Sequence, residues 1–178
     1  LDPADTKRVI YSADQLGNAP FHIDDTSQPS LAEIRAKARR LKRDSDLALI
    51  VVDYLQLLTI HGSESRQQEV STISRNLKAL ARDLRVPVLA LAQLNRKAED
   101  RTDHRPLLSD LRESGSIEQD ADMVMLLYRE EYYNKESERS GLADIIIAKN
   151  RNGSTGDLTV RFTKELMRFE NAVSEPAF

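Results

Sequence analysis

The sequence has no cysteine, which excludes disulfides, thiolate metal sites and cysteine nucleophiles. It also lacks GxxxxGK[ST], the loop that cradles nucleotide phosphates, and Gly153 and Gly156 do not supply one. HExxH and GxSxG are missing too, and His22, His61 and His104 stand scattered among polar neighbours, as surface histidines do. No apolar run approaches the roughly 18–20 residues needed to cross a bilayer. Neither charge dominates: 26 Lys and Arg stand against 29 Asp and Glu. The broad basic face of a duplex-DNA reader is therefore absent, and any nucleic-acid contact must be narrow or repeated in several copies. The opening LDPADTKRV has no start methionine and no signal-peptide or transit-peptide character. That fits a cytoplasmic protein and suggests a piece of a longer one. A chain of 178 residues suits one domain with a core and is short for two.

What is present is organised around Leu47–Leu58, LALIVVDYLQLL. Its unbroken apolar start predicts a strand buried on both faces of a parallel sheet, stopping at Asp53. Before it, residues 3–17 predict a helix begun by Pro3 and stopped by Gly17, and Pro20–Ile23 predicts a short strand. Ser30 and Glu33 form a capping-box pattern for a helix to about Arg43, with Leu31, Ile34, Ala38 and Leu41 on one face. That helix's many basic residues read as a solvated or subunit-facing surface, with a nucleic-acid patch as the less favoured alternative. After Asp53, Thr59–Ser65 reads as a loop. Arg66–Arg85 then predicts a helix with Val70, Ile73, Leu77, Leu80 and Leu84 as its apolar stripe. Val88–Ala92 is the next strand, which completes a βαβ unit. Arg96–Leu107 has no period and reads as a mobile loop. Strands follow at Met123–Tyr128 and Leu142–Ala148, separated by the exposed excursion Arg129–Ser140. A closing antiparallel hairpin is predicted over Leu158–Phe162 and Met167–Phe169.

Three strands end in polar groups: Asp53, Gln93, and Lys149 with Arg151. If the strands are parallel, these groups converge on one sheet edge, where ligands of open α/β sheets bind. A carboxylate there can order Mg²⁺, an amide can contact a γ-phosphate or orient water, and cations can neutralise transition-state charge. Asp53 can equally end a strand and cap a loop. It is followed by Tyr54, so no general base stands beside it. Arg112–Ser116 is the second surface. Its glycine among small polar residues lets backbone N–H groups approach a nucleotide or a DNA phosphate, although Glu113 and Glu118 oppose a simple anion site.

Taken in order, LIVVDYLQLL, LALAQLNR, DLRESGSIEQDAD and IIIAKNRNGSTG resemble the motifs of the DnaB-type replicative DNA helicases over essentially the whole chain. The resemblance implies a RecA-like P-loop NTPase core, with a mostly parallel central sheet flanked by helices and a C-terminal antiparallel hairpin. It implies a homo-hexameric ring that moves on single-stranded DNA while hydrolysing ATP with Mg²⁺. Asp53 then matches the Walker B aspartate that orders Mg²⁺, and Gln93 the glutamine that senses the γ-phosphate. Arg112, Glu113 and Gly115 match the loop that holds single-stranded DNA. Arg151 matches the arginine finger reaching into a neighbouring subunit, with Lys149 beside it. Phe162 and Phe169 offer an adenine contact, with core packing the favoured reading.

In this family the phosphate loop, the catalytic glutamate and the primase-contacting domain lie upstream of the matched segment. The expectation is one partial motor domain over residues 1–178, inactive as an ATPase by itself. Primase and the helicase loader would be partners through the full-length protein. Loss of the upstream helix and strand would leave apolar sheet surface exposed. The rival readings are another RecA-like ATPase, of recombinase or clock type, and a non-catalytic scaffold.

Overall fold

A computed structural model describes residues 2–60, 65–95 and 98–172, without the side chains of residues 112–115. Helix α1 is Pro3–Gly17, with Pro3 in its first turn and the Asp2 side chain accepting from the Ala4 N–H. It buries none of its residues: Val9, Ile10 and Leu16 are all more than half exposed. The predicted strand at Pro20–Ile23 is not formed. Phe21 and Ile23 stand exposed, and an extended segment with no neighbouring strand to bond is not a strand. Helix α2, Leu31–Asp44, opens with the capping box read from the sequence. Ser30 Oγ accepts from the Glu33 N–H at 3.2 Å, and the Glu33 carboxylate accepts from the Ser30 N–H at 2.8 Å.

Strands β1, Ile50–Val52, and β2, Val88–Ala90, pair in parallel with Val52 opposite Ala90, and helix α3, Arg66–Leu84, connects them. This is the predicted βαβ unit. The α3 stripe of Val70, Ile73, Leu77 and Leu80 is buried. Ile73, Leu77 and Leu80 pack with Ala38 of α2 and with Val52, Leu55 and Leu58, and Leu31, Ile34 and Leu84 flank them. The expectation of a strand covered on both faces is only half met. Val52 is buried, but Val51 is 53% exposed, with Leu49, Leu89 and Leu91 exposed beside it. One face of the pair lies under α2 and α3. The other is apolar and open, which matches the predicted exposed sheet surface.

A 3-10 turn over Leu108–Ser114 and the short helix α4, Gly115–Asp120, lead to a second sheet. Its strands are β3 (Met123–Tyr128), β4 (Leu142–Asn150), β5 (Gly156–Thr163) and β6 (Arg168–Asn171), all antiparallel and adjacent in chain order. Helix α5, Glu130–Tyr133, is a single turn between β3 and β4. The parallel run anticipated for the third strand end is thus replaced by an antiparallel return. A parallel crossover takes a dozen or more residues and is usually a helix that covers the sheet, and the polar segment 129–141 has no apolar stripe with which to do so. The final hairpin is as predicted: Phe162 faces Phe169 with ring centroids 4.7 Å apart. Phe162 is core, whereas Phe169 is half exposed.

Arg101 and Arg105 of the predicted loop are tied down by side-chain contacts. Arg101 grips the buried Asp110 through both guanidinium nitrogens, and Asp110 also accepts from the Leu107 N–H at 2.7 Å. Arg105 bridges Asp144 and Asp157. His104 stacks on Tyr133 of α5 with centroids 4.5 Å apart, so it is not the surface histidine its polar neighbours suggested. Its stacking partner comes from a distant part of the sequence, which composition around His104 does not report.

Candidate nucleotide and nucleic-acid site

Asp53 follows β1 directly, and its peptide bond to Tyr54 is cis. The carboxylate is exposed, and among the described residues no hydrogen bond or ion pair engages it. Nor does any group of three His, Asp or Glu side chains among those residues form a metal cage. A single free carboxylate fits a cation that takes its other ligands from phosphates and water, which is how Mg²⁺ is held beside a nucleotide.

Gln93 lies three residues past the end of β2, on the same edge as Asp53, because β1 and β2 run parallel and in register. Its side chain is exposed, but its peptide is held. Gln56 Nε2 donates to the Gln93 carbonyl at 3.1 Å, and the Gln93 N–H donates to Gln56 Oε1 at 3.3 Å. Sequence reasoning missed Gln56. The available signal was one amide set in the apolar run after Asp53.

Lys149 and Arg151 form a separate group. Antiparallel pairing sets Lys149 opposite Val124, near the start of β3. Lys149 Nζ donates to the carbonyls of Glu118 and Gln119, and Arg151 Nη2 to that of Gln119 at 2.5 Å. Arg151 also lies 3.8 Å from Asp122, and its N–H donates to the Asp122 carbonyl at 2.8 Å. These cations satisfy the last carbonyls of α4, where positive charge is favourable. Asp122 in turn pairs with Lys78. The hydrogen bond from Lys78 is the main cause that lowers the Asp122 carboxyl below its ordinary range, with Arg151 adding to it. Lys78 stands in the second half of α3, the half that leads into the start of β2. The cation group therefore lies toward the opposite end of the strands from Asp53 and Gln93. Among the described residues, no contact joins Lys149 or Arg151 to Asp53 or Gln93, so the two groups expected to meet on one edge are not brought together.

Arg112, Glu113 and Gly115 fall in residues 112–115, whose side chains lie outside the described residues. Their neighbours are well placed: Asp110 and Leu111 are buried, and Leu111 packs with Val124 and Leu126 against Ala92 and Leu94.

The α/β fold, with its βαβ unit, its antiparallel sheet and an exposed aspartate at the carboxyl end of a core strand, is that of a RecA-like domain. The family model "DnaB-like helicase C terminal domain" matches residues 1–171, and the chain belongs to that family. It is 55% identical over 173 residues to the replicative DNA helicase DnaB of Geobacillus stearothermophilus, covering 96% of this chain and 38% of that protein. It is 51% identical over 173 residues to the replicative DNA helicase DnaC of Bacillus subtilis (strain 168), with the same coverage. Among solved structures, an ATPase domain superposes with a TM-score of 0.92 at 42% identity, covering 97% of this chain and 62% of that one. A DnaB-like replicative helicase described with its interactions with primase gives the same TM-score and identity, with 42% of its chain covered. The chain spans well under half the length of these curated relatives. No helix among the described residues is long and apolar enough to cross a membrane.

Proposed function

We propose that residues 1–178 are part of a single motor domain of a replicative DNA helicase, a cytoplasmic homo-hexamer that hydrolyses ATP with Mg²⁺ while moving on single-stranded DNA. Primase and a helicase loader are its partners through the full-length protein. The observation that carries this reading is the separation of Asp53 and Gln93 from Lys149 and Arg151 within one chain. A ring reunites such groups by setting one subunit's cations against the next subunit's nucleotide.

In this reading Asp53 orders the metal through its free carboxylate. Bound Mg²⁺ supplies charge neutralisation on the phosphate oxygens. The Gln93 amide hydrogen-bonds a terminal phosphate oxygen and registers its presence or loss. Arg151 exchanges its contact with the Gln119 carbonyl for the neighbouring nucleotide, and Lys149 adds charge beside it. Arg112, Glu113 and Gly115 hold the phosphate backbone of single-stranded DNA. A six-fold repeat of so small a contact explains how a nearly neutral chain grips DNA.

The test is fork unwinding by the full-length protein. Wild type should separate a forked duplex with ATP, Asp53→Asn should lose this activity, and the 178-residue chain alone should not turn over ATP. Hydrolysis by full-length protein without unwinding would favour a different RecA-like ATPase. Robust turnover by the isolated chain would contradict the assignment of the catalytic parts to upstream sequence.

A further inference from the structure

We propose that Gln56 is a positioning residue that links the nucleotide edge to the DNA loop, by holding Gln93 to the turn after Asp53. This rests on the roles given above to Gln93 and to Arg112, Glu113 and Gly115.

The Gln56 side chain acts as an extra strand residue. It donates to the Gln93 carbonyl and accepts from the Gln93 N–H, and this two-point pairing continues the β1–β2 ladder beyond its last backbone bonds. Those bonds run from the Leu91 N–H to the Val52 carbonyl and from the Leu55 N–H to the Leu91 carbonyl, each 2.9 Å long. Gln56 is itself held. Arg66, at the start of α3, donates to the Gln56 carbonyl at 2.6 Å and to the Leu58 carbonyl at 3.3 Å. Leu55 and Leu58 on either side are buried in the α2–α3 core. The amide therefore meets Gln93 from a fixed turn three residues after Asp53.

Beyond Gln93 the connection continues without slack. Ala92 and Leu94 flank it and pack against the cluster of Leu111, Val124 and Leu126. Two residues past Gln93, the Asn95 N–H donates to the Asp110 carbonyl at 3.0 Å. The Asp110 side chain is locked by Arg101 and the Leu107 N–H. Two residues further stands Arg112. A shift of the Gln93 peptide is therefore passed to the base of the DNA loop through one hydrogen bond and one apolar cluster. Close-packed interiors move between discrete arrangements rather than stretching.

The experiment measures single-stranded DNA affinity of the full-length protein with a non-hydrolysable ATP analogue and with ADP. The ratio of the two affinities is the readout, for wild type, Gln93→Ala, Gln56→Leu and Gln56→Glu. Wild type should bind severalfold more tightly in one nucleotide state, and Gln93→Ala should bring the ratio close to one. Gln56→Leu removes both hydrogen bonds and should collapse the ratio in the same way. Gln56→Glu keeps the acceptor for the Gln93 N–H and should give an intermediate ratio even if the leucine variant folds poorly. A Gln56 that only stabilises the fold would weaken both affinities together. A preserved ratio in both Gln56 variants, with Gln93→Ala collapsed, overturns the linkage and leaves the site reading intact. A wild-type ratio of one, or a Gln93→Ala ratio like wild type, overturns the site reading and the linkage with it.

Discussion

Two acidic residues, Asp53 and Asp144, show how differently one fold treats a carboxylate. Asp53 stands exposed at a strand end with no partner among the described residues. Asp144 is buried in β4 and receives Arg139 through both guanidinium nitrogens, Arg105 at 3.1 Å and the Thr159 hydroxyl at 2.9 Å. The Arg139 hydrogen bonds, followed by those of Thr159 and Arg105, lower its pKa from 3.8 to about 2. Asp110 repeats the pattern with Arg101, whose hydrogen bond is the main cause that holds its carboxyl below the ordinary range. Among these three, the two perturbed carboxylates belong to the scaffold, and the proposed metal-ordering carboxylate is the exposed one.

The sharpest way to break that comparison is to exchange what each residue is said to do. Arg151→Ala in the full-length protein should lower DNA-stimulated ATP turnover by about 10³-fold or more, as loss of an arginine finger does. Asp53→Asn should abolish turnover while moving the unfolding midpoint by no more than surface substitutions do, within about 0.5 kcal/mol. Steady-state kinetics beside thermal unfolding reads both effects. Asp144→Asn should do the reverse. It leaves two arginines facing a neutral amide and should cost about 2–3 kcal/mol. That is below the range for a fully buried pair, because Arg105 and Arg139 are each about a third exposed. Turnover per folded molecule should then stay within about twofold of wild type.

Acid sharpens the contrast further. Asp144 has a folded pKa of about 2 against an ordinary value of 3.8. Its contribution is therefore fully present above about pH 4 and is lost as pH falls toward 2, because the unfolded chain takes up the proton first. Urea midpoints followed over that window should fall for wild type and fall less for Asp144→Asn. A smaller effect is expected at Asp110→Asn, about 1–2 kcal/mol, because one arginine and one backbone N–H lose a charged acceptor. A null result at Asp110 would show that the segment after Gln93 is not held by this pair.

The local signals in the sequence were sufficient for local structure. Pro3 with Gly17, Ser30 with Glu33, and the apolar stripe of α3 each carry their own stereochemistry, and all three helices formed where those signals lie. The Val88–Ala90 strand and the Phe162–Phe169 hairpin followed from the same short-range cues. What failed was non-local. Pro20–Ile23 has strand composition, but no strand pairs with it. The direction of β4 depended on whether residues 129–141 could cover a sheet face, and so did the position of Lys149 and Arg151. The pairs that pin Arg105 span 39 and 52 residues, and no periodicity reports them. Of the proposed site, Asp53 and Gln93 are legible as polar ends of apolar runs. Gln56 was hidden because an amide in an apolar stretch gives no sign of what it will bond.

The central claim is that Arg151 serves a neighbour's nucleotide, and it is tested most directly by mixing two inactive full-length proteins, Arg151→Ala and Asp53→Asn. In mixed rings some interfaces join an intact Asp53 site to an intact Arg151, so DNA-stimulated ATP turnover should return. If both variants are folded and shown to co-assemble yet the mixture stays inactive, Arg151 does not act across the interface and the account is wrong.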